Sequence, residues 1–438
     1  MGINEALAYI HNVNWRSMKP GLERIRELLA GLGNPEKKLR FVHIAGTNGK
    51  GSTAACIASV LQSAGYRTGL YTSPHLVRVN ERMQAGFKEI TDEQLVRITG
   101  EIRPVADAMA DTPTEFEIIT AIAMKFFLDE SCDVVVLEVG MGGALDSTNV
   151  IEAPDAAVIT AIGYDHVSEL GPGIADIAGA KAGIIKDGCD VVIYGSDPES
   201  GDGGEASEVF ERATAARGGT LHKTDFARIT GEEFTADGVR FGFEPYGTIS
   251  LGLVGAYQPR NAAVAITTLE VLRGKGYNIS DDDIRTGLAR VSWPGRFEIL
   301  GRNPVFILDA GHNPQGMEAA AESIRRLFGE RKATFLMGVM ADKDVDAMLR
   351  AIAPLAESFI AVTPGYYRAM KASALAEKMS VYGKPARAFD DIGEGVAEAL
   401  RLAGEDGIVC ALGTLYFSGD VRAAYHAAIK ATPPEETA

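Results

Sequence analysis

Gly46-Thr47-Asn48-Gly49-Lys50-Gly51-Ser52 decides the reading of this chain. It follows Phe41-Val42-His43-Ile44-Ala45, an apolar and β-branched run that reads as a buried strand. It precedes an amphipathic stretch at 53–64 that stops at Gly65, as a helix C-terminus should. A strand, a glycine turn and a helix N-terminus gather backbone N–H groups and the positive end of the helix dipole around a phosphate. Lys50 is then placed to reach the β- and γ-phosphates of a nucleotide. The bland alternative is a glycine-rich turn with a solvated lysine, and both context and composition disfavour it. One position departs from the usual loop. The residue after the lysine normally carries a hydroxyl for magnesium, and here it is Gly51, with Ser52 one place later. The ordinary GTPase or motor-ATPase loop is thereby excluded, and a metal would need a hydroxyl from elsewhere.

Working outward, β-branched runs at 40–44, 133–138, 156–161 and 190–194 alternate with helical patterns. That alternation predicts an α/β domain with a parallel sheet. The Gly-, Asp- and Ser-rich segment at 195–207 reads as a loop, and 221–253 as a small antiparallel region attached to the first domain. Trp293-Pro294-Gly295-Arg296 interrupts the pattern. A new strand–helix series follows, with strands expected at 305–308, 333–339, 358–363 and 407–412. The expectation is a P-loop domain at 1–294 and a smaller, Rossmann-like α/β domain at 295–438.

Composition bounds the function classes. The 438 residues are 46% hydrophobic and 23% charged, which gives ample core for two or three domains. A net charge of −16 argues against nucleic acid or an anionic membrane as a partner. A local group of cations and amides can still hold a phosphate. Cys56, Cys132, Cys189 and Cys410 show no Cys-x-x-Cys pairing and read as buried residues of a reducing compartment. The first 30 residues have no signal-peptide pattern, and no run of about 20 apolar residues offers a membrane span. The expected location is cytoplasmic.

Further segments carry a resemblance. They are Tyr71-Thr72-Ser73-Pro74-His75-Leu76, Pro113-Thr114-Glu115-Phe116-Glu117, and Glu138-Val139-Gly140-Met141-Gly142-Gly143 with Leu145-Asp146-Ser147-Thr148-Asn149. Asp165-His166, Lys181-Ala182-Gly183-Ile184, Gln258 with Asn261, Pro294-Gly295-Arg296-Phe297-Glu298, Asp309 with His312-Asn313-Pro314, Asp342-Lys343-Asp344 and Gly413-Thr414-Leu415-Tyr416 follow in order. With the phosphate loop, this series resembles the folylpolyglutamate synthase/dihydrofolate synthase branch of the Mur ligase superfamily along nearly the whole chain.

The resemblance implies an ATP- and magnesium-dependent amide ligase. Its substrates would be a reduced folate or dihydropteroate, L-glutamate and ATP, and it would act as a monomer. A carboxylate is a poor acylating agent, so ATP first converts it to an acyl phosphate, which the amino group of glutamate attacks. Such chemistry needs a phosphate cradle, a hard cation and cationic surroundings. The resemblance places ATP on Thr47, Asn48, Gly49, Lys50, Gly51, Ser52, Asn261, Arg296 and Asp309. It gives magnesium Ser73, Glu138, His166 and Lys181, the last as a carbamate, and counts Lys50, Glu138, His166 and Lys181 as catalytic. Glu115, Phe116 and Asp146 are implied to bind the folate, and His312 and Thr414 the glutamate. Read on residue type alone, Glu138 is an acid at a strand end, where α/β sheets keep their functional groups. Histidine is an unusual ligand for a hard ion, and Lys181 would pass for a solvated helix lysine.

The family pattern is broken in four places. Ala144 stands where an arginine is usual, Ala180 where a glutamate precedes the lysine, Ala310-Gly311 reverses the usual order, and Thr414 replaces serine. Ala144 removes a cation near the expected pterin site and leaves the acceptor open. The alternatives are another ligase of the superfamily acting on a non-folate acceptor, or a nucleotide switch. Gly51 disfavours the switch.

Overall fold

Every residue of Phe41–Ala45 (β1) is buried, as an interior strand of a parallel sheet requires. In the computed structural model, which describes residues 1–12, 20–195 and 204–431, seven strands join it. They are Thr68–Tyr71 (β2), Met83–Ala85 (β3), Lys88–Glu89 (β4), Val134–Glu138 (β5), Ala156–Ile159 (β6), Asp190–Ile193 (β7) and Thr220–Lys223 (β8). Their spatial order is β4-β3-β2-β5-β1-β6-β7-β8. From β2 to β8 neighbours run parallel, and β3 and β4 form an antiparallel edge. The register sets Ile44 beside Glu138 and Ala45 beside Ile159. The loops leaving β2, β5, β1 and β6 therefore emerge side by side at the carboxyl end of the sheet, where open α/β sheets bind ligands.

Helix Lys50–Ser63 follows β1 and is buried from Gly51 to Leu61. Helix Asp281–Arg290 lies across it. Gly287 has no side chain where a Cβ would strike the Val60 backbone, and its carbonyl accepts a 2.7 Å bond from Ser59 Oγ.

Two local expectations differ from the structure. Residues 221–223 were expected in the antiparallel region, but they belong to β8 and pair parallel with β7. A half-exposed edge strand alternates polar and apolar residues just as a hairpin strand does, so pattern alone does not separate them. Of the loop expected at 195–207, residues 196–203 lie outside the described residues, and 205–207 already belong to helix Glu205–Ala216. Ile229–Thr235 (β9), Gly238–Phe243 (β10) and Thr248–Leu251 (β11) make a small sheet in the order β11-β10-β9. Their short connections are of the kind that joins antiparallel neighbours.

The chain divides into two compact units. The first is Met1–Thr230, Gly242–Ile249 and Arg260–Val291, and the second is Gly231–Phe241, Ser250–Pro259 and Ser292–Ala438. The second unit is built on Glu298–Arg302 (β12), Val305–Leu308 (β13), Ala333–Met337 (β14), Ala356–Val362 (β15), Ala386–Phe389 (β16) and Ile408–Leu412 (β17). The order is β12-β13-β17-β14-β15-β16, with β12 antiparallel to β13 and the other pairs parallel. Phe335 and Phe359 fill one face of this sheet, and Phe306, Leu336 and Phe417 the other. Among the described residues no helix is long and apolar enough to cross a membrane.

Candidate active site

The phosphate loop is held from below. Thr47 N and Asn48 N donate to Ala161 O at 2.9 and 3.2 Å, and Thr47 Oγ1 donates to Gly163 O at 3.1 Å. Gly46 and Gly49 have φ of 152° and 87°, a region glycine enters without steric cost. A Cβ on Gly46 would collide with Thr160 Oγ1, and one on Gly49 with Asn261 Oδ1. Asn261 is thus packed against the loop within the same unit. The helix that starts at Lys50 has no side-chain cap, and an uncapped N-terminus presents its amides to an anion.

Two lysines meet at one carbonyl. Lys50 Nζ donates to Gly46 O at 3.0 Å and Thr47 O at 3.1 Å, and Lys181 Nζ donates to the same Gly46 O at 2.8 Å. Lys181 lies in the last turn of helix Ile174–Ala182 and is 5% exposed. Burial and the Lys50 charge lower its pKa to about 7, against the opposing pull of Asp165 and Asp146. The lysine that residue type alone would leave in solvent is therefore at the phosphate loop, with much of its charge removed near neutrality.

One strand away, Glu138 closes β5, buried, and its Oε2 accepts from Ser73 N at 3.1 Å. Asp165 is buried and its Oδ1 accepts from His166 N at 3.0 Å. His166 has φ of 51° and a 41% exposed side chain. Among the described residues no three His, Cys, Asp or Glu side chains gather into a metal cluster. A carboxylate beside a serine is a small set of hard oxygen donors. It fits magnesium, which keeps waters and takes phosphate oxygens for its remaining positions.

Asp146 is buried and already engaged. Its Oδ1 accepts from Thr148 N at 3.0 Å and Thr148 Oγ1 at 2.6 Å, and its Oδ2 accepts from Met141 N at 2.9 Å. Burial raises its pKa, and these donors oppose that. Because the Thr148 hydroxyl donates to Asp146, its oxygen accepts from His43 Nε2 at 2.9 Å, which leaves His43 Nδ1 buried without a partner. Phe116 lies against Gly140, where a Cβ would touch its ring. Glu115 Oε1 is 3.0 Å from His11 Nδ1. Ala144 is exposed and its N donates to Ala180 O at 3.0 Å. Asn149 Nδ2 ties Ala144 O and Gly183 O together, which locks this loop to the end of the Lys181 helix.

Sequence reasoning missed several partners. The sequence shows Glu117 only as part of a motif, but it is 2% exposed, accepts from Thr114 N at 2.7 Å, and pairs with the buried Arg24 at 3.0 Å. The Thr114–Glu117 spacing is a capping box visible in sequence. Arg24 sits 93 residues away and gave no signal. His75 Nδ1 accepts from Arg82 Nε at 2.9 Å. Burial, with the charges of Arg82 and His11, lowers its pKa to about 3. All four cysteines are free and buried, and burial pushes the Cys56 and Cys132 thiols up to about 12.

In the second unit, Asp309 follows β13 and is buried. Its Oδ1 accepts from Gly311 N at 2.6 Å, and its Oδ2 accepts from Phe297 N at 2.8 Å and the Tyr257 hydroxyl at 3.1 Å. It holds Phe297 at φ 47° and so fixes the turn that carries Arg296, a half-buried side chain whose Nη1 donates to Gly295 O at 3.4 Å. His312 Nδ1 lies 3.0 Å from Ala310 O. Thr414, beyond β17, is buried and its Oγ1 accepts from Tyr416 N at 3.3 Å. Gly413 N donates to Gly311 O at 2.9 Å, so His312 and Thr414 stand on adjacent, tied loops.

The comparisons with known proteins agree with this arrangement. Residues 44–269 match the Mur ligase middle domain, and residues 295–415 the Mur ligase glutamate ligase domain. A Bacillus subtilis protein named dihydrofolate synthase/folylpolyglutamate synthase is 37% identical over 431 residues, 95% of this chain and 98% of that one. A Mycobacterium tuberculosis folylpolyglutamate synthase complexed with ADP superposes with a TM-score of 0.87 at 31% identity, covering 99% of this chain and 100% of that one. A structure described as an FPGS–AMPPCP–folate complex gives 0.84 at 34% identity, covering 96% and 99%. With its phosphate loop, its two lysines on one carbonyl and both domain models matched in order, the chain belongs to the folylpolyglutamate synthase/dihydrofolate synthase family of Mur ligases.

Proposed function

We propose that this chain uses ATP to join L-glutamate to a folate, a reduced folate or dihydropteroate, through an acyl phosphate. The observation that carries the reading is the convergence of Lys50 and Lys181 on Gly46 O, one strand from Glu138 and Ser73. It is supported by the folate synthases to which the chain is similar along almost its full length.

The amides of Thr47 to Ser52 with Lys50 cradle the ATP phosphates, and Asn261, Arg296 and Asp309 serve the nucleotide. The substrate carboxylate attacks the γ-phosphorus and ADP leaves. The glutamate amine then attacks the acyl carbon, an amide forms, and phosphate departs with the acyl C–O bond broken. The Lys50 charge beside the loop stabilises the oxygens that gain negative charge in both steps. Ser73 and Glu138, with His166, would hold magnesium, which supplies charge neutralisation at the phosphates when bound. Lys181 would join that set as a carbamate, formed when its neutral Nζ bonds the carbon of carbon dioxide and gives up a proton to solvent, which replaces an ammonium with oxygen donors. A buried amine that is partly neutral is suited to that reaction. Glu115, Phe116 and Asp146 border the folate, Asp146 by fixing the loop at Met141, and His312 and Thr414 receive glutamate. In this reading 1–294 is the ATP-binding domain and 295–438 the glutamate ligase domain of a cytoplasmic monomer.

ATP turnover by the purified protein with magnesium, measured with and without each pterin and glutamate, tests the proposal. Turnover that requires both is expected. Turnover independent of both would establish a switch, and turnover only with a non-folate acceptor would move the chain to another branch of the superfamily.

A further inference from the structure

A group of side chains in the second unit has no part in the reading above. The loop after β15 runs over the segment after β14. Ala341 N donates to Arg368 O at 2.8 Å, Met370 N donates to Val339 O at 2.9 Å, and Met340 bridges Ala369. This anchoring carries Tyr366, Tyr367 and Arg368 to the carboxyl end of the sheet, where Tyr416 arrives from the turn after β17. Tyr366 and Tyr416 stack with centroids 4.2 Å apart and planes 10° apart, and Tyr367 lies 4.8 Å from Tyr366. The Arg368 guanidinium covers Tyr366 at 5.5 Å and Tyr367 at 5.8 Å. Tyr367 is 69% exposed and Tyr416 43%. Such open aromatic surface over a charged group is unusual unless something binds there.

The platform is continuous with the loop expected to meet glutamate. Thr414 Oγ1 accepts from Tyr416 N, Tyr416 stacks on Tyr366, and Arg368 sits on Tyr366. Arg368 is incompletely satisfied. Its Nη1 donates to Asp342 Oδ2 at 3.2 Å, while its Nε is buried without a partner and 37% of the side chain stays open. A guanidinium carries five donors in a fixed fork that matches a carboxylate. The tyrosine floor fixes the plane of the fork and removes water from one side of it, and both effects strengthen a carboxylate contact.

We infer that Arg368, set on Tyr366, Tyr367 and Tyr416, is the receptor for the side-chain carboxylate of the incoming glutamate. This rests on the proposed function and deepens it. His312 and Thr414 serve a part common to all amino acids, and Arg368 supplies the discrimination for a dicarboxylate. A site that hydrogen-bonds a charged group rejects an analogue that lacks the charge, because its own buried polar atoms are then left unmatched. Asp342 competes for the same guanidinium and keeps affinity moderate.

Steady-state kinetics of Arg368→Ala, Arg368→Lys and Asp342→Asn, with glutamate, glutamine and the α-amide of glutamate as amine substrates, tests this. Arg368→Ala should raise the KM for glutamate by about tenfold or more, with kcat within about threefold and the KM for ATP and pterin unchanged. Its preference for glutamate over glutamine should fall by a similar factor, while its preference for glutamate over the α-amide stays. Arg368→Lys, which keeps the charge without the fork, should fall between wild type and alanine. Asp342→Asn should lower the KM for glutamate, and this variant leaves the platform intact if Arg368→Ala fails to fold. An unchanged KM for glutamate, or unchanged rejection of glutamine, in a wild type that turns over ATP with pterin and glutamate would overturn this inference alone. Absence of glutamate-dependent turnover in the wild type would bring down the functional reading and this inference together.

Discussion

His43 shows how a residue beside the phosphate loop can be structural rather than catalytic. Its ring is fully buried on β1, it donates through Nε2 to Thr148, and burial with the Lys186 charge lowers its pKa from 6.5 to about 3. Above pH 6.5 it is neutral both folded and unfolded and contributes nothing to the pH dependence. As pH falls from 6.5 towards 3, the unfolded chain takes up a proton that the folded chain refuses, so stability is lost across that window. His43→Gln should flatten this part of the acid limb in denaturant midpoints measured from pH 7 to 4, and an identical limb would mean that another group governs it. Lys181 makes a second expectation at this scale. Protein equilibrated with carbon-13 bicarbonate should show a carbamate carbon resonance by NMR that Lys181→Met lacks, and no such signal in the wild type would remove the carbamate from the site. Lys50 and Gly51 were legible without a structure, because a seven-residue loop is a local feature. The burial of Lys181 was not, because it depends on the loop at 140–149 packing onto the end of its helix.

Helices and strands turn these residues into a site. Helix Glu115–Asp129 begins on the capping box of Thr114 and Glu117, and the same Glu117 carboxylate neutralises Arg24 from helix Glu23–Gly31. The pair fixes the helix whose first turn carries Glu115 and Phe116. Glu117→Ala should destabilise the protein by about 3–5 kcal/mol in denaturant unfolding, because it strands a buried guanidinium, and Glu117→Gln by less. A loss under about 1 kcal/mol for the alanine variant would show that Asp111 alone compensates Arg24. Helix Lys50–Ser63 was readable as a helix, though its first turn was assigned to the loop. Its N-terminus was hidden because glycines at 49 and 51 carry no helical propensity signal. The sequence pattern does not place β8 for the corresponding reason in strands, since alternation gives a strand its face and not its partner.

At the scale of the whole molecule, nucleotide binding should be visible as stability. A ligand that binds only the folded state stabilises it by about 2.7 kcal/mol at 100 times its Kd. AMPPCP with magnesium should therefore raise the melting temperature of the wild type by several degrees. Lys50→Ala should melt at the wild-type temperature without ligand and lose most of that shift. A full shift in the variant would show that the loop lysine does not hold the phosphates.

The class of fold, the phosphate loop, the order of the two α/β series and the family are all legible in the chain, because each is written in runs of a few residues whose periodicity and glycines act locally. The sequence also marks Gly51 as a missing hydroxyl. Which distant residues lie together depends on packing. Parallel register sets Glu138 beside Ile44, and the turn after β2 brings Ser73 N to the Glu138 carboxylate. Packing of two loops buries Lys181 against Gly46 O and joins Arg368 to Tyr366 and Tyr416. Asp146 and Asp309 are buried acceptors of three hydrogen bonds each, which shape the loops around them. Burial and proximity across a hundred residues are properties of packing, and no local pattern in the chain encodes them.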